Sequence, residues 1–308
     1  MQKTKHIPVL MNEVLEYLDP KPGEVIVDAT LGGGGHFEAM INKVSGTTKK
    51  TVFIGIDRDK DAIERFKENS EVLSTLKTNK NIELHLVHSS FEDLSKIIEE
   101  FKISKVDKIL ADLGTSQDQL DDENRGFSYR MDAELDMRMD TRSQVTAADL
   151  LNGLTEKELV KLFDELADMW GISKRMARAI LKERKTSPIL TTKQLKKLIY
   201  QAVPLKHGSR TKSLEARVFQ ALRIATNQEL YALTRFLPQA FEALSFKGRL
   251  AVISFHSGED RIVKSFFKSK VETNEANIID KLVNPMESEI AANSRSSSAK
   301  MRILEKTI

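Results

Sequence analysis

Short apolar runs that end in an aspartate recur along the first third of the chain. Residues 25–28, 51–57 and 106–112 have this form. Continuous apolar runs of this length are typical of strands buried on both faces of a parallel sheet. Residues 82–87 alternate apolar and polar positions, and residues 250–255 form a late apolar run, so both are predicted strands. Helical periodicity between the strands predicts an α/β, Rossmann-like doubly wound sheet.

The alternation of strand and helix is interrupted in the middle of the chain. Residues 114–140 are polar, rich in Asp and Arg and poorly periodic, which is typical of a long functional loop. Helical periodicity follows from Thr146 to about Ala202. We therefore predict one α/β domain from residues 1–113 plus 216–308. A loop-plus-helical insertion at residues 114–215 would serve as the substrate-recognition domain.

Four consecutive glycines, residues 32–35, follow the first predicted strand and lead into a helix. Asp57 ends the second strand, 22 residues after Gly35. Nucleotide-binding folds place an acidic residue on a ribose about 20 positions after such a loop. The pattern therefore predicts a site for an adenosine-containing cofactor. A glycine turn without a ligand is the alternative, disfavoured because Asp28, the glycines and Asp57 fall in one βαβ frame.

The details of the glycine loop narrow the choice of cofactor. The dinucleotide spacing G-x-G-x-x-G is not met, and no Gly-Lys-Ser/Thr closes a phosphate-binding loop. Both observations argue against NAD and ATP. An acidic strand end before the glycines, at Asp28, suits a cofactor that carries an amino-acid ammonium group. S-adenosylmethionine is such a cofactor, and we expect it here.

Composition excludes several classes of protein. The chain has 308 residues and no cysteine, so it has no disulfide, thiolate metal site or cysteine nucleophile. No apolar leader and no long apolar run is present, which predicts a cytoplasmic protein without a membrane partner. The polar cluster around His256 lacks a second histidine at ligand spacing, so we predict no metal site.

Positive charge is concentrated in one stretch. Residues 170–225 contain 14 Lys and Arg against two acids, a local charge of +12, so the rest of the chain carries −9 of the net +3. Such asymmetry points to a polyanionic partner, and the Ser-rich basic tail at 293–302 reads as a phosphate-contacting arm or a solvated terminus. The predicted RNA-binding residues are Lys174, Arg175, Lys196, Lys197, Arg210, Lys212 and Arg223.

Five polar or aromatic residues are candidates for the chemistry. Asp112 ends the fourth strand, where it could hold a reacting amine or contact the cofactor. Gln119 could bond the cofactor or a base edge. His36 follows the glycines and is either a cofactor contact or a polar helix start. Phe91 is either an adenine-stacking ring or a core residue. His256, after the late strand, is a weaker catalytic candidate.

These motifs, in this order, resemble the bacterial 16S rRNA cytosine-N4 methyltransferase family (RsmH/MraW). The likeness covers nearly the whole chain, from the His6-Ile-Pro-Val-Leu segment to the Glu259-Asp-Arg-Ile-Val-Lys segment. It includes Gly55-Ile-Asp-Arg-Asp, Arg125-Gly-Phe-Ser, Leu135-Asp-Met-Arg-Met-Asp and Phe219-Gln-Ala-Leu-Arg-Ile.

The resemblance implies a class I S-adenosylmethionine-dependent methyltransferase fold with an inserted helical domain. It further implies N4-methylation of a cytidine in the decoding region (P site) of 16S rRNA, within the 30S subunit, by an enzyme that forms a homodimer. The family's cofactor contacts correspond here to Gly34, Gly35, His36, Asp57, Phe91, Asp112 and Gln119.

The chain departs from the family pattern mainly on the substrate side. The departures lie at residues 115–119, 171–175, 213–218 and 258. They motivate an alternative hypothesis, in which the chain is a catalytically weak or inactive RNA-binding ribosome-assembly factor that retains the methyltransferase fold. An enzyme acting on a small molecule would leave the +12 stretch unexplained.

Overall fold

A computed structural model shows two compact units, each with its own core. One unit combines Met1–Thr115 with Leu230–Ile308, and the other is Ser116–Glu229. The structure describes residues 8–46, 48–69, 72–73, 76, 79–203 and 209–308, with backbone only for residues 209–213. His6 of the family-like N-terminal segment lies outside the described residues.

The first unit is built on a seven-stranded sheet in the order β3-β2-β1-β4-β5-β7-β6. The first five strands in this order run parallel, and β7 pairs antiparallel with both β5 and β6. This arrangement confirms the predicted doubly wound α/β sheet. The strands are β1 (Val25–Asp28), β2 (Thr51–Asp57), β3 (Ile82–His88), β4 (Val106–Asp112), β5 (Leu244–Ser254), β6 (Ala276–Val283) and β7 (Lys300–Lys306).

Helices cover both faces of this sheet because successive strand residues point to opposite sides. Ile109 and Ala111 of β4 join one core cluster, and Leu110 between them joins the other. The chain forms helices α1 (Met11–Leu18), α2 (Gly35–Lys43), α3 (Lys60–Asn69), α4 (Leu94–Glu100), α5 (Gln117–Asp121), α6 (Ala147–Gly153), α7 (Glu156–Ala167), α8 (Ser173–Arg184), α9 (Thr192–Ala202), α10 (Ser209–Thr226), α11 (Glu229–Ala243), α12 (Ser257–Glu272) and α13 (Glu287–Ala292). Helices α1 to α3 pack on one face, and α4, α11 and α12 on the other.

The strand order reverses direction between β1 and β4. Chain connections diverge at this point, which leaves a crevice beyond the carboxyl ends of the strands. Asp28 of β1 pairs with Leu110 of β4, so Asp112 stands two positions further along the same edge. Asp112 in turn pairs with Ile253 of β5. The sheet therefore gathers these strand ends at the position where α/β folds bind ligands.

The second unit is a helical body made from α5 to α10 and the loop between α5 and α6. Its core includes Phe163 of α7, Met176 of α8 and Leu195 of α9. The loop, predicted to lack regular structure, is anchored by Arg125, whose Nη2 donates to the carbonyls of Arg138 and Met139 at 2.7 and 3.0 Å. Apolar side chains of the loop enter the core while its charges pair with each other. The buried set is Phe127, Leu135, Met137 and Met139.

One predicted domain boundary and one predicted terminal segment differ from the structure. Helix α10 contributes Val218 and Leu222 to the second core, so the chain returns to the α/β unit at Leu230 and not near residue 216. The tail, predicted to be a phosphate-contacting arm or a solvated terminus, forms a 3-10 turn and leads into the inner strand β7. Arg302 of this segment bonds Asp260 at 2.7 Å instead of projecting to solvent.

Candidate active site

The glycine loop turns sharply between β1 and α2 and is tied to the neighbouring strand. Gly34 caps α2 with φ +78°, a backbone conformation that side chains disfavour, and a Cβ there would lie 2.3 Å from the Phe66 ring. The amide of Gly32 donates to Oδ2 of Asp57 at 2.7 Å. A Cβ on Gly35 would lie 2.3 Å from Pro8. Packing and hydrogen bonding therefore hold the loop in one shape beside Asp57.

Asp57 presents an acceptor at the end of β2. Its Oδ2 accepts from Gly32, and its Oδ1 accepts from the amide of Asp59 at 2.8 Å. Each carboxylate oxygen has a second lone pair, so the group can still accept hydroxyl protons. Burial raises the pKa of the Asp57 carboxyl above its ordinary value, and the two backbone hydrogen bonds act in the opposite direction. The arrangement suits a vicinal diol such as a ribose.

Asp112 and His36 face each other at the reversal point of the sheet. The separation of His36 Nε2 and Asp112 Oδ2 is 3.6 Å, too long for a hydrogen bond. Both ring nitrogens of His36 and Oδ1 of Asp112 are buried without a hydrogen-bond partner. Buried polar atoms without partners are rare in proteins and mark places where a ligand completes the site. These atoms can bind an amine or an ammonium group.

Asp28 and Thr30 lie next to this pair. Burial raises the pKa of Asp28 to about 7, and the nearby Asp112 and Asp57 act in the same direction, against His36 and the amide of Thr30. Thr30 Oγ1 accepts from the amide of Asp112 at 2.6 Å and so fixes the end of β4. Sequence reasoning missed Thr30, although its place two residues after Asp28 in a strand-to-glycine turn is a usable signal.

His256 caps helix α12. Its Nδ1 accepts from the amides of Gly258 and Glu259, at 3.2 and 3.4 Å, so Nδ1 carries no proton in this arrangement. The buried carboxylate of Glu259 accepts from the amides of Phe255 and His256, which completes a reciprocal cap. The Nε2 atom of His256 lies 3.2 Å from Oε1 of Glu259 and is buried without a hydrogen-bond partner. His256 therefore caps the helix, and its catalytic role stays a prediction.

Comparison with known proteins identifies the family. The model of the MraW methylase family matches residues 3–307. The chain belongs to the MraW methylase family. Two relatives named "Ribosomal RNA small subunit methyltransferase H" are similar over nearly their whole length. The one from Clostridioides difficile is 41% identical, with 98% of each chain covered. The one from Syntrophotalea carbinolica is 42% identical, again with 98% of each chain covered.

Membership in the MraW methylase family confirms three predictions. The predicted family is correct, the fold is the class I methyltransferase fold with an inserted helical unit, and the cofactor is S-adenosylmethionine. The geometry fits this cofactor. Asp57 offers acceptors for ribose hydroxyls, and the unpartnered atoms of His36 and Asp112 offer partners for the amino-acid end. Which residues contact the cofactor in this methylase is still a prediction.

Two predicted cofactor contacts, Phe91 and Gln119, also make contacts within the protein, and their binding of the cofactor stays a prediction. Phe91 is buried in the core of the methylase sheet, with its ring 5.1 Å from that of Phe236 and the Arg58 guanidinium 5.3 Å from its centroid. Gln119 lies in the second unit, where its Oε1 accepts from the amide of Ser116 at 3.1 Å. Ser116-x-x-Gln119 is a helix capping box, a signal that sequence reasoning overlooked.

The predicted RNA-binding residues differ in exposure and pairing. Lys174, Arg175 and Lys197 are exposed. Lys196 is partly buried and lies 3.8 Å from the buried Glu215. Arg223 is partly buried, and its Nε and Nη2 donate to Glu229 at 2.8 and 2.9 Å, so its charge is paired within the protein and its contact with RNA stays a prediction. The side chains of Arg210 and Lys212 lie outside the described residues.

Two features are absent from the described part of the chain. No helix there has the length and apolar character needed to cross a membrane. No group of three or more side chains there could hold a metal ion.

Proposed function

We propose that this chain transfers a methyl group from S-adenosylmethionine to the N4 amine of a cytidine in the decoding region (P site) of 16S rRNA. The observation that carries the proposal is full-length similarity at about 40% identity to relatives named for small-subunit rRNA methylation. The position of Asp112 supports the reaction class. The exposed Lys174, Arg175 and Lys197 support a polyanionic substrate.

Asp112 is suited to prepare a weakly nucleophilic amine. The lone pair of an exocyclic amine on cytosine is delocalised into the ring. An acceptor that holds an N–H bond can orient this lone pair towards the methyl group that the sulfonium of the cofactor supplies. Oδ1 of Asp112 is such an acceptor, because it has no hydrogen-bond partner of its own.

A carboxylate next to the amine balances the positive charge that develops on N4 during methyl transfer. The C–N bond forms as the S–C bond breaks, so the positive charge moves from sulfur to N4. The amine then loses a proton, and we assign its capture to Asp112. A role for Asp112 in contacting the amino-acid end of the cofactor is compatible with the same geometry, and kinetics separate the two roles.

A direct assay tests the reaction and the substrate together. The protein is incubated with S-adenosylmethionine and either undermethylated 30S subunits or naked 16S rRNA, and nucleosides are analysed by mass spectrometry. N4-methylcytidine from the 30S sample is the expected product. RNA binding without any methylated nucleoside would favour the alternative of a non-catalytic assembly factor.

We predict that Asp112→Ala abolishes methylation while the protein stays folded, since Asp112 is partly exposed at a strand end. A catalytic role lowers kcat with little change in the Kd of the cofactor, measured by calorimetry. A cofactor contact raises that Kd instead. Asp61→Asn, on an exposed helix face, is the control for loss of a carboxylate. Turnover retained in Asp112→Ala would remove this residue from the reaction.

The proposal also includes the form of the substrate and of the enzyme. We propose that the substrate is the 30S particle and that the enzyme acts as a homodimer. Methylation of 30S subunits but not of naked 16S rRNA supports the first part. Sedimentation at a mass of twice 34.8 kDa supports the second part.

A further inference from the structure

The turn between α7 and α8 exposes the chain's only tryptophan. Trp170 is 69% exposed. Tryptophan is normally largely buried, so an indole held in solvent calls for an explanation. Met169, which precedes Trp170, is part of the core of the second unit. Ile172, which follows Gly171, packs against that core. Trp170 therefore projects from a segment that is otherwise anchored.

Hydrogen bonds fix the shape of this turn. The Trp170 indole Nε1 donates to Oδ1 of Asp168 at 3.1 Å. Arg217 from α10 donates from Nη1 to the carbonyls of Ala167 and Asp168, at 3.3 and 3.2 Å. The amide of Ile172 donates to the carbonyl of Met169 at 2.8 Å. A restrained turn presents the indole at a low cost in conformational entropy, as a recognition surface requires.

Two exposed positive charges follow Trp170 in the sequence, four and five positions later. Lys174 and Arg175 are exposed in the first turn of α8, and no acidic residue lies in that turn. The helix dipole disfavours cations at this end, so the two charges oppose local stability. Sequence features that break a local rule of stability are expected at functional sites. The other solvent-facing residues of the turn, Asp168 and Gly171, add no apolar surface.

We propose that Trp170 is a stacking platform for an unpaired base of the RNA substrate, with Lys174 and Arg175 contacting the adjacent phosphates. An aromatic face next to cations is the combination with which proteins bind single-stranded nucleic acid. Within the turn itself, residues 168–172, Trp170 is the one exposed apolar side chain, which is less than the contiguous apolar area of a protein-docking surface. The inference rests on the proposed function only for the identity of the polymer.

The single tryptophan makes the platform directly measurable. Intrinsic emission is followed while the full-length protein is titrated with a single-stranded oligouridine, and with an RNA duplex of equal length. Stacking is expected to quench Trp170 with the single strand and to leave its emission nearly unchanged with the duplex. Emission that stays constant at saturating single strand would overturn the proposal.

Variants separate stacking from charge. Trp170→Ala is expected to weaken oligouridine binding about 5- to 100-fold, with Trp170→Phe recovering most of the loss. The slope of log affinity against log salt should not change in Trp170→Ala. Replacing Lys174 and Arg175 with Gln should reduce that slope by about 1.4, since each phosphate contact on a single strand contributes about 0.7.

Phe246→Ala is the matched control, because Phe246 is 65% exposed in the other unit. It should bind RNA like the wild type. Equal RNA affinity of Trp170→Ala and wild type overturns the platform. So does an emission change with protein concentration alone, which would indicate contact between copies. Wild-type methylation of 30S subunits with an unchanged RNA KM in Trp170→Ala removes the platform and keeps the proposed function. Quenching of Trp170 emission by RNA without any methylation keeps the platform and removes the proposed function.

Discussion

Three aspartates at neighbouring strand ends have three different environments. Asp57 has a backbone amide on each oxygen, Asp112 has an oxygen without a partner, and Asp28 is 1% exposed below both. The residue type is the same, so the differences come from the loops that follow each strand. Environment therefore distinguishes an acceptor for hydroxyls, an acceptor for an amine and a buried carboxyl that favours its protonated form.

Asp28 predicts a pH dependence of stability. Its pKa is about 7 in the folded protein against 3.8 ordinarily, because burial disfavours the charge. Between these values the folded chain keeps a proton that the unfolded chain has lost. The free energy of unfolding should therefore fall as pH rises from about 4 to 7. Asp28→Asn should flatten this fall, measured by urea unfolding at pH 5 and pH 8. An unchanged pH dependence in the variant would contradict the assignment.

Two polar residues predicted as cofactor or catalytic groups also lie at helix starts. Gln119 and His256 both complete reciprocal caps, at the starts of α5 and α12. The inserted unit uses the same device at Thr146, Thr155 and Thr191. Cap residues satisfy amides that have no partner within the helix. A polar residue just after a predicted strand must therefore be tested as a cap before it is assigned to catalysis.

His256 permits this test at the level of one helix. His256→Ala should lower the free energy of unfolding by about 1 kcal/mol, since the amides of Gly258 and Glu259 lose their acceptor. His256→Asn should restore stability, because asparagine is a strong cap residue. Methylation at the wild-type rate in His256→Asn is the expected result. A stable variant with strongly reduced kcat would instead support the predicted catalytic role of His256.

At the scale of the whole molecule, the core of the inserted unit is separate from the two core clusters of the α/β sheet. The α/β unit holds six of the seven predicted cofactor residues, and the inserted unit holds Gln119, Trp170 and the exposed predicted RNA-binding cations. Phe53 and Phe163 are both fully buried, one in each unit. Because the two clusters share no member, damage to one should affect mainly the function of its own unit.

Phe163→Ala and Phe53→Ala form a matched pair for this division. Truncation of a buried phenylalanine costs about 3–5 kcal/mol. Phe163→Ala should lower the temperature at which Trp170 emission changes and weaken RNA binding, while the Kd for S-adenosylmethionine stays near the wild-type value. Phe53→Ala should reduce cofactor binding. Equal loss of cofactor binding in the two variants, by calorimetry, would show that the cores are not independent.

The parts of the fold that follow local rules could be predicted from the sequence. Apolar runs ending in Asp28, Asp57 and Asp112 define parallel strands because both faces are buried, and the glycines define the turn. The parts that depend on distant partners could not. Arg223 looks like a surface cation until Glu229 is placed beside it. Strand β7 is rich in charge, and only pairing with β5 and β6 makes it a strand.

The α/β sheet is completed from two distant pieces of chain, and this has a consequence during synthesis. β4 pairs with β1 on one side and with β5 on the other, but β5 follows the 114 residues of Ser116–Glu229. At about 5–20 residues per second a ribosome needs on the order of 10 s to cross that interval. During this interval the incomplete sheet of the nascent chain exposes the unpaired hydrogen-bonding edge of β4, which is a central strand in the finished sheet. The inserted unit can therefore complete its core before the α/β unit completes its sheet.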